Sequence, residues 1–373
     1  MNSTAPSNKF QLYILTNSPG ELASWVTPIA HEIKKQKRKV EIHILLTPCQ
    51  YASGNEVGVA KALPNVVSVT DPKKTVRRLF SLPIKTPIES QGAVLSLGGD
   101  PMYGRLYSKK LNVPGYIYTE RDHDFSPHLH TFSKNITGDL MSDKVKLSHK
   151  TKDEILKEYK LEDRAYTLFF PGSRPQHFEA FFPFLCNTIQ IIRKKTHSFK
   201  AIMNISPFIS DAQLEDAKSK CNTEDIIFLK APSTDIMQIS ELQVSLPGTN
   251  TAEAMYLETP MIVITPLNKP ELIILDGLPG LITKIPILGK ILLQLILRRL
   301  KQKIKFTSLP NKKANDTVVP EIIGNVDEGS ISDTVIKFLT ETEHLYDMKQ
   351  RLKTLKETKT PSKTIVDTIL KKR

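Results

Sequence analysis

Short apolar runs alternate with longer amphipathic stretches along this chain, and the alternation stops and restarts near the middle. Residues 11–16 read as a strand and Asn17-Ser18-Pro19-Gly20 as a turn. A helix follows from about Glu21, with Leu22, Val26, Ile29 and Ile33 on one face. That spacing matches the helical period, and Pro28 is expected to kink the helix. Strands at 40–46, 66–69, 93–97 and 115–119 continue the pattern, and the one at 93–97 runs into Gly98-Gly99-Asp100-Pro101. A charged helix over 143–160 closes the first half.

The second half begins again at 166–170, where a strand meets Pro171-Gly172-Ser173-Arg174 and then a long helix to about Lys195. Strands follow at 199–205, 226–229, 243–246 and 261–265. Ser233 is expected to cap a short helix, and Pro247-Gly248-Thr249-Asn250 to open another over 251–258. Strands alternating with helices in both halves make this an α/β chain with parallel sheets. The expected architecture is two Rossmann-like doubly wound domains facing a cleft, the GT-B arrangement. The domains are expected over 1–150 and 160–330, followed by a helical tail over 331–373. Right-handed crossovers place the loops after the strands on one sheet edge, where ligands bind.

The composition allows this. Of 373 residues, 40% are hydrophobic and 24% charged, which is enough apolar chain for two cores. Lys and Arg outnumber Asp and Glu by 52 to 39, a net charge of +13 that attracts phosphorylated ligands or anionic surfaces. No aromatic RNA-binding motif or helix-turn-helix accompanies the charge, so nucleic acid is not expected as a partner. The three cysteines, Cys49, Cys186 and Cys221, are far apart in sequence, which excludes a CxxC motif and leaves buried packing as their reading. The polar residues 1–9 lack a signal core, and no uncharged run reaches the ~20 residues of a membrane span. A cytoplasmic location is expected.

Three loops carry candidate chemistry. Residues 17–21, 171–174 and 247–251 each follow a strand, open a helix and combine Gly with small hydroxyl residues. Such loops leave backbone N–H groups free to receive phosphate. They also fit plain tight turns with a helix cap. Two in one domain, with Arg174 beside Gly172 and Ser173, favour a diphosphate site. None is a Walker loop or a dinucleotide GxGxxG loop, so kinase and dehydrogenase chemistry lose support. Glu253, early in the following helix, suits the helix dipole and is also placed to accept from a ribose diol.

These residues resemble a known family. Phe170-Pro171-Gly172-Ser173-Arg174 with Phe182-Pro183, Gly248-Thr249-Asn250-Thr251-Ala252-Glu253-Ala254, Thr259-Pro260-Met261-Ile262-Val263, Leu309-Pro310-Asn311 and Val319-Pro320-Glu321 are similar, in order, to segments of lipid-A-disaccharide synthases. The first half matches less well. Ser18-Pro19-Gly20-Glu21-Leu22 matches a family loop in part, Asp100-Pro101 lacks a second Asp and an Asn, and 118–123 replaces a Trp-containing stretch. Gly138-Asp139-Leu140 stands where the family has Gly-His-Pro.

The resemblance implies a metal-independent hexosyltransferase without a cofactor, moving an acylated amino sugar from a UDP-sugar to a lipid-linked or acylated sugar acceptor. It implies donor contacts from Gly172, Ser173, Arg174, Gly248, Thr249, Asn250, Thr251, Glu253 and Asn311. Ser18, Gly20 and His123 fall on the acceptor side. The departing diphosphate needs preorganised donors such as Arg174, and a carboxylate is needed as general base. Asp100 is the first candidate and Glu21 the second; Asp100 is equally suited to closing the Gly-Gly-Asp-Pro turn.

Residues 272–300 are strongly apolar, and Lys290, Gln294, Arg298 and Lys301 form one narrow polar stripe. Ile291, Leu292, Leu295, Arg298 and Arg299 are expected to meet an anionic membrane at its inner face. A buried or homodimer helix is the competing role for the segment. Two other functions stay open: a UDP-GlcNAc 2-epimerase-like enzyme, and a non-catalytic GT-B relative that binds a nucleotide sugar or lipid.

Overall fold

A computed structural model describes residues 9–49, 54–81, 91–120, 129–148, 150–268 and 305–371. The chain forms two compact units. The first comprises Met1–Leu147 and Glu357–Arg373, and the second Ser148–Lys356.

In the first unit, β1 (Phe10–Thr16), β2 (Val40–Leu46), β3 (Val66–Thr70), β4 (Gly92–Leu97), β5 (Gly115–Thr119) and β6 (His130–Ser133) form a parallel sheet ordered β3-β2-β1-β4-β5-β6. In the second, β7 (Thr167–Phe170), β8 (Ala201–Asn204), β9 (Ile226–Leu229), β10 (Leu242–Ser245), β11 (Met261–Pro266) and β12 (Glu321–Gly324) are parallel in the order β12-β11-β10-β7-β8-β9. Each sheet starts at its centre, lays two further strands on one side, then crosses to the other. This is the doubly wound order, and its switch point lies between β1 and β4 in one unit and between β7 and β10 in the other. The central strands are buried on both faces: β7, β8 and β10 have no exposed residue, as helices on both sides of a parallel sheet require.

The second core is built on the long helix Pro175–Lys195, in which Phe178, Phe182, Leu185, Ile189 and Ile192 recur at helical spacing and are fully buried. Phe169, Met203, Val244, Ile262 and Ile331 pack in the same cluster. Burial at roughly 25 cal/mol per Å² outweighs the ~3 kcal/mol that the internal Pro183 costs the helix.

Beyond the edge strands β6 and β12, which the sequence does not mark, the local structure departs from expectation in four places. The helix expected from Glu21 is interrupted ahead of Pro28: residues Leu22–Val26 form a π-helical turn, and Pro28 occupies the first turn of the α-helix Thr27–Lys35 that follows it. The 143–160 helix is two helices, Leu140–Val145 and Lys152–Glu158, because a Thr151–Glu154 capping box starts the second afresh. Ser233 is the first residue of its helix, not its cap. Finally, the last helix, Pro361–Lys371, lies in the first unit, where the Ser362 N–H and hydroxyl donate to the buried Asp143 carboxylate at 2.9 and 2.6 Å.

Candidate functional site

In the second unit the loops after β7 and β10 are the two that flank the switch point. The first contains Gly172, whose φ of +103° suits glycine, and an added Cβ would come within 2.9 Å of the His177 Cβ. The backbone of the loop therefore lies directly on the first turn of the Pro175–Lys195 helix. Arg174 is the N-cap residue of that helix, with a backbone cap geometry and no side-chain cap bond. Ser173 and Arg174 are half-buried.

Gly248 is the N-cap of the helix Thr249–Leu257, and a Cβ there would meet nothing within 4 Å. The approach to this helix start is open. Thr249 is exposed, Asn250 half-buried and Thr251 buried, with the Thr251 hydroxyl donating to the Gly248 carbonyl at 2.8 Å. Beneath the loop, the Gln243 amide donates to the Asn250 carbonyl at 3.3 Å, while Gln243 Oε1 and the Ser245 hydroxyl are buried without a hydrogen-bond partner among the described residues. Each loop thus ends in N–H groups at a helix start, which suits phosphate.

Glu253 is placed differently from its expected role. It is 1% exposed, and its carboxylate accepts a hydrogen bond from the Ser233 hydroxyl of the adjacent helix. Asn311 is also turned inward. Its Oδ1 accepts from the Val318 and Val319 N–H groups at 2.8 and 2.9 Å, and its Nδ2 donates to the Val319 carbonyl and to Glu321 at 2.9 and 2.7 Å. Glu321 is the centre of this cluster, accepting also from the backbone and hydroxyls of Thr307 and Ser308. Burial raises its carboxyl pKa, but these donors outweigh burial and hold it below the ordinary value. Asn311 therefore pins the segment before β12.

Two residues beside these loops carry no sequence signature. His177 sits under Gly172, and burial plus the Arg174 guanidinium push its imidazole down to about 4, so it is neutral at physiological pH. Ser233 is the second: the sequence marks it only as a helix cap, and its contact with Glu253 emerges from the fold.

In the first unit the switch point holds Glu21. Ser18 caps the turn Pro19–Glu21: its hydroxyl accepts from the Glu21 N–H at 3.2 Å, and Glu21 Oε2 accepts from the Ser18 and Asn17 N–H groups at 3.2 and 3.3 Å. The Gly99 N–H adds another bond to this carboxylate. Gly98 makes the room, since a Cβ on it would land on the Glu21 carboxyl group. Glu21 thus joins the loop after β1 to the loop after β4. Burial raises its pKa above the ordinary 4.5, and the N–H bonds from Asn17, Ser18 and Gly99 only partly oppose that. Gly20, within the same turn, is half-buried.

Asp100 has another task. It is exposed and is the N-cap of the helix Pro101–Leu111, accepting from the Met102 N–H at 2.8 Å. Asp139 caps the helix Leu140–Val145 and pairs with Lys134 at 2.9 Å, while the Tyr118 hydroxyl donates to the Gly138 carbonyl at 3.0 Å.

His123 and the apolar segment with Ile291, Leu292, Leu295, Arg298 and Arg299 lie outside the described residues. Among the described residues no helix is long and apolar enough to cross a membrane, and no group of three His, Cys, Asp or Glu side chains is placed to hold a metal.

Comparison with known proteins agrees with this architecture. Residues 134–278, less than half of the chain, match the family described as lipid-A-disaccharide synthetase. A lipid-A-disaccharide synthase of Francisella philomiragia is 25% identical over 181 residues, which is 48% of this chain and 40% of that protein. The alignment therefore spans well under two thirds of that relative. Among solved structures, UDP-GlcNAc 2-epimerase from Neisseria meningitidis bound to UDP-GlcNAc is similar with a TM-score of 0.59 at 13% identity, over 97% of this chain and 100% of the other. A glycosyltransferase from Rickettsia africae is similar with a TM-score of 0.52 at 9% identity, over 98% and 100% of the two chains. At these identities the likeness is one of fold. This chain has a GT-B-type fold and is distantly related in sequence to the lipid-A-disaccharide synthases.

Proposed function

We propose that this chain binds a nucleoside-diphosphate sugar on its second unit and catalyses cleavage of the sugar's anomeric C–O bond. The supporting observation is the pair of glycine loops, 171–174 and 247–251, at the switch point of the second sheet, each opening a helix, with Arg174 between loop and helix. N–H groups of this kind, with a guanidinium, stabilise the charge that collects on a departing diphosphate. Gly172, Ser173, Arg174, Gly248 and Thr249 make the phosphate contacts in this proposal, and Glu253 and Asn311 hold the surrounding frame.

Glu21 is the proposed base. A carboxylate with a raised pKa, held by N–H groups at a switch point, takes a proton more effectively than a solvated one near neutral pH. Asp100 keeps its helix cap.

Two fates of the sugar follow from the same first step. In an epimerase-like reaction the base removes the C2 proton as the nucleoside diphosphate leaves with the bonding electron pair, which makes a C1–C2 double bond; a solvent-derived proton then adds to the other face of C2 as the diphosphate oxygen returns to C1. The whole-chain fold likeness to a UDP-GlcNAc 2-epimerase supports this. In a transfer reaction an acceptor hydroxyl attacks the anomeric carbon, its proton passes to the base, and the nucleoside diphosphate leaves. The match at residues 134–278 to the lipid-A-disaccharide synthetase family supports transfer to an acylated or lipid-linked sugar.

Incubation with UDP-GlcNAc in heavy water separates them. Epimerisation places deuterium at C2 and yields a second UDP-sugar without any acceptor. Transfer releases UDP only when an acylated sugar acceptor is added and leaves C2 unlabelled. Binding of UDP with neither outcome would reduce the chain to a non-catalytic nucleotide-sugar binder.

A further inference from the structure

Cys186 and Cys221 are 35 positions apart in sequence yet meet in the second unit. Cys186 lies on the buried face of the helix Pro175–Lys195, and Cys221 follows the helix Asp211–Ser219 in the turn before β9. Cys221 packs against the core cluster that contains Cys186, near enough that each thiol shifts the titration of the other. Both are free thiols.

The elements that carry them are already fastened. Gln190, one helical turn beyond Cys186, donates to the Glu224 carbonyl at 3.1 Å and to the Asn222 carbonyl at 3.4 Å. Arg193 donates to the Glu224 carbonyl at 2.9 Å and pairs with Asp225. The turn 221–225 is thus docked along the face that presents Cys186, Gln190 and Arg193. The docking keeps the two cysteines on adjoining elements, as a bridge between them requires.

We propose that Cys186 and Cys221 form an oxidation site that a low-molecular-weight disulfide converts to an intramolecular disulfide bond. Cys221 reacts first because it is only half-buried, whereas Cys186 is fully buried. Its thiolate attacks one sulfur of the small disulfide, which expels one thiolate and leaves a mixed disulfide on Cys221. The Cys186 sulfur, giving up its proton to solvent, then attacks Cys221 Sγ and expels the second small thiol. The net change oxidises two protein thiols and reduces one small disulfide to two thiols.

The surroundings set the speed. Burial raises the Cys221 pKa; Lys220 and the Cys186 hydrogen bond oppose this without cancelling it. Cys221 also stands at the C-terminal end of its helix, where the dipole disfavours a thiolate. Burial pushes Cys186 up to about 12. The thiolate fraction is therefore small at neutral pH, and the bridge forms faster as pH rises.

The test equilibrates the full chain with oxidised glutathione, alkylates the remaining thiols and maps the peptides by mass. The expected product links Cys186 to Cys221, leaves Cys49 alkylated and raises the melting temperature of the second unit by roughly 5–10 °C. The Cys186→Ser variant should stop with glutathione retained on Cys221, and Cys221→Ser should leave Cys186 unmodified. If the folded wild type keeps all three thiols alkylated, stops at a mixed disulfide, or links through Cys49, the proposal fails. The wild-type peptide map decides between these outcomes whether or not the serine variants fold.

Discussion

The two units share one strand order and differ in what they place at its switch point. Between β7 and β10 stand glycine loops, hydroxyl residues and Arg174. Between β1 and β4 stands a carboxylate, Glu21, with Gly98 and Gly99 cleared around it. Topology decides where a ligand can meet helix N-termini and strand ends; the side chains decide whether the place suits an anion or a proton. The first setting suits an anion and the second a group that takes up a proton.

The largest effect should come from the first unit. Glu21→Gln is expected to lower turnover by about a hundredfold or more while UDP affinity stays unchanged. The wild-type rate should fall on the acid side with an apparent pKa above 4.5, because the free carboxyl is raised in the folded state. The sign extends to stability. A carboxyl raised by burial contributes most below its unfolded pKa and loses that contribution as pH rises through the folded value. The uncharged Gln should thus leave the first unit at least as stable as wild type at neutral pH, by urea denaturation. A Glu21→Gln enzyme with full activity would remove the acid–base half of the comparison.

The second unit should respond in binding. Arg174→Ala is expected to weaken UDP by roughly 10- to 100-fold, the size of a charge-assisted hydrogen bond to phosphate.

Gly172→Ala asks whether the loop needs glycine. The φ of +103° and the contact with His177 should cost the second unit roughly 1–3 kcal/mol in denaturant unfolding. An unchanged midpoint would mean that the loop relaxes freely.

The smallest effect is expected at Asp100. Asparagine caps helices as well as aspartate, so Asp100→Asn should leave both stability and turnover close to wild type. A hundredfold loss of turnover would return the base role to Asp100 and take it from Glu21.

The strand–loop–helix rhythm made all but the edge strands β6 and β12 legible in the sequence, because a two-residue period and a helical period differ clearly in apolar runs such as β1 and the face Leu22, Val26, Ile29 and Ile33. The glycine loops were legible because positive-φ turns demand glycine at positions like Gly172. Roles that depend on distant contacts were not. Nothing local shows that Glu253 meets Ser233, that Asn311 and Glu321 bind each other, or that Gly98 clears space for Glu21. Asp100 was ambiguous for a related reason: a carboxylate at the end of a strand reads alike whether it caps the next helix or faces a substrate, and only the structure adds its bond to Met102. Cysteine spacing likewise concealed the pair formed by Cys186 and Cys221.

The most direct test of the central claim is a calorimetric titration of UDP into wild type, Arg174→Ala and Glu21→Gln. The account predicts saturable binding to wild type, the same affinity in Glu21→Gln, and an affinity at least about tenfold weaker in Arg174→Ala. Absence of UDP binding to the wild type, or equal affinity in all three proteins, would contradict it.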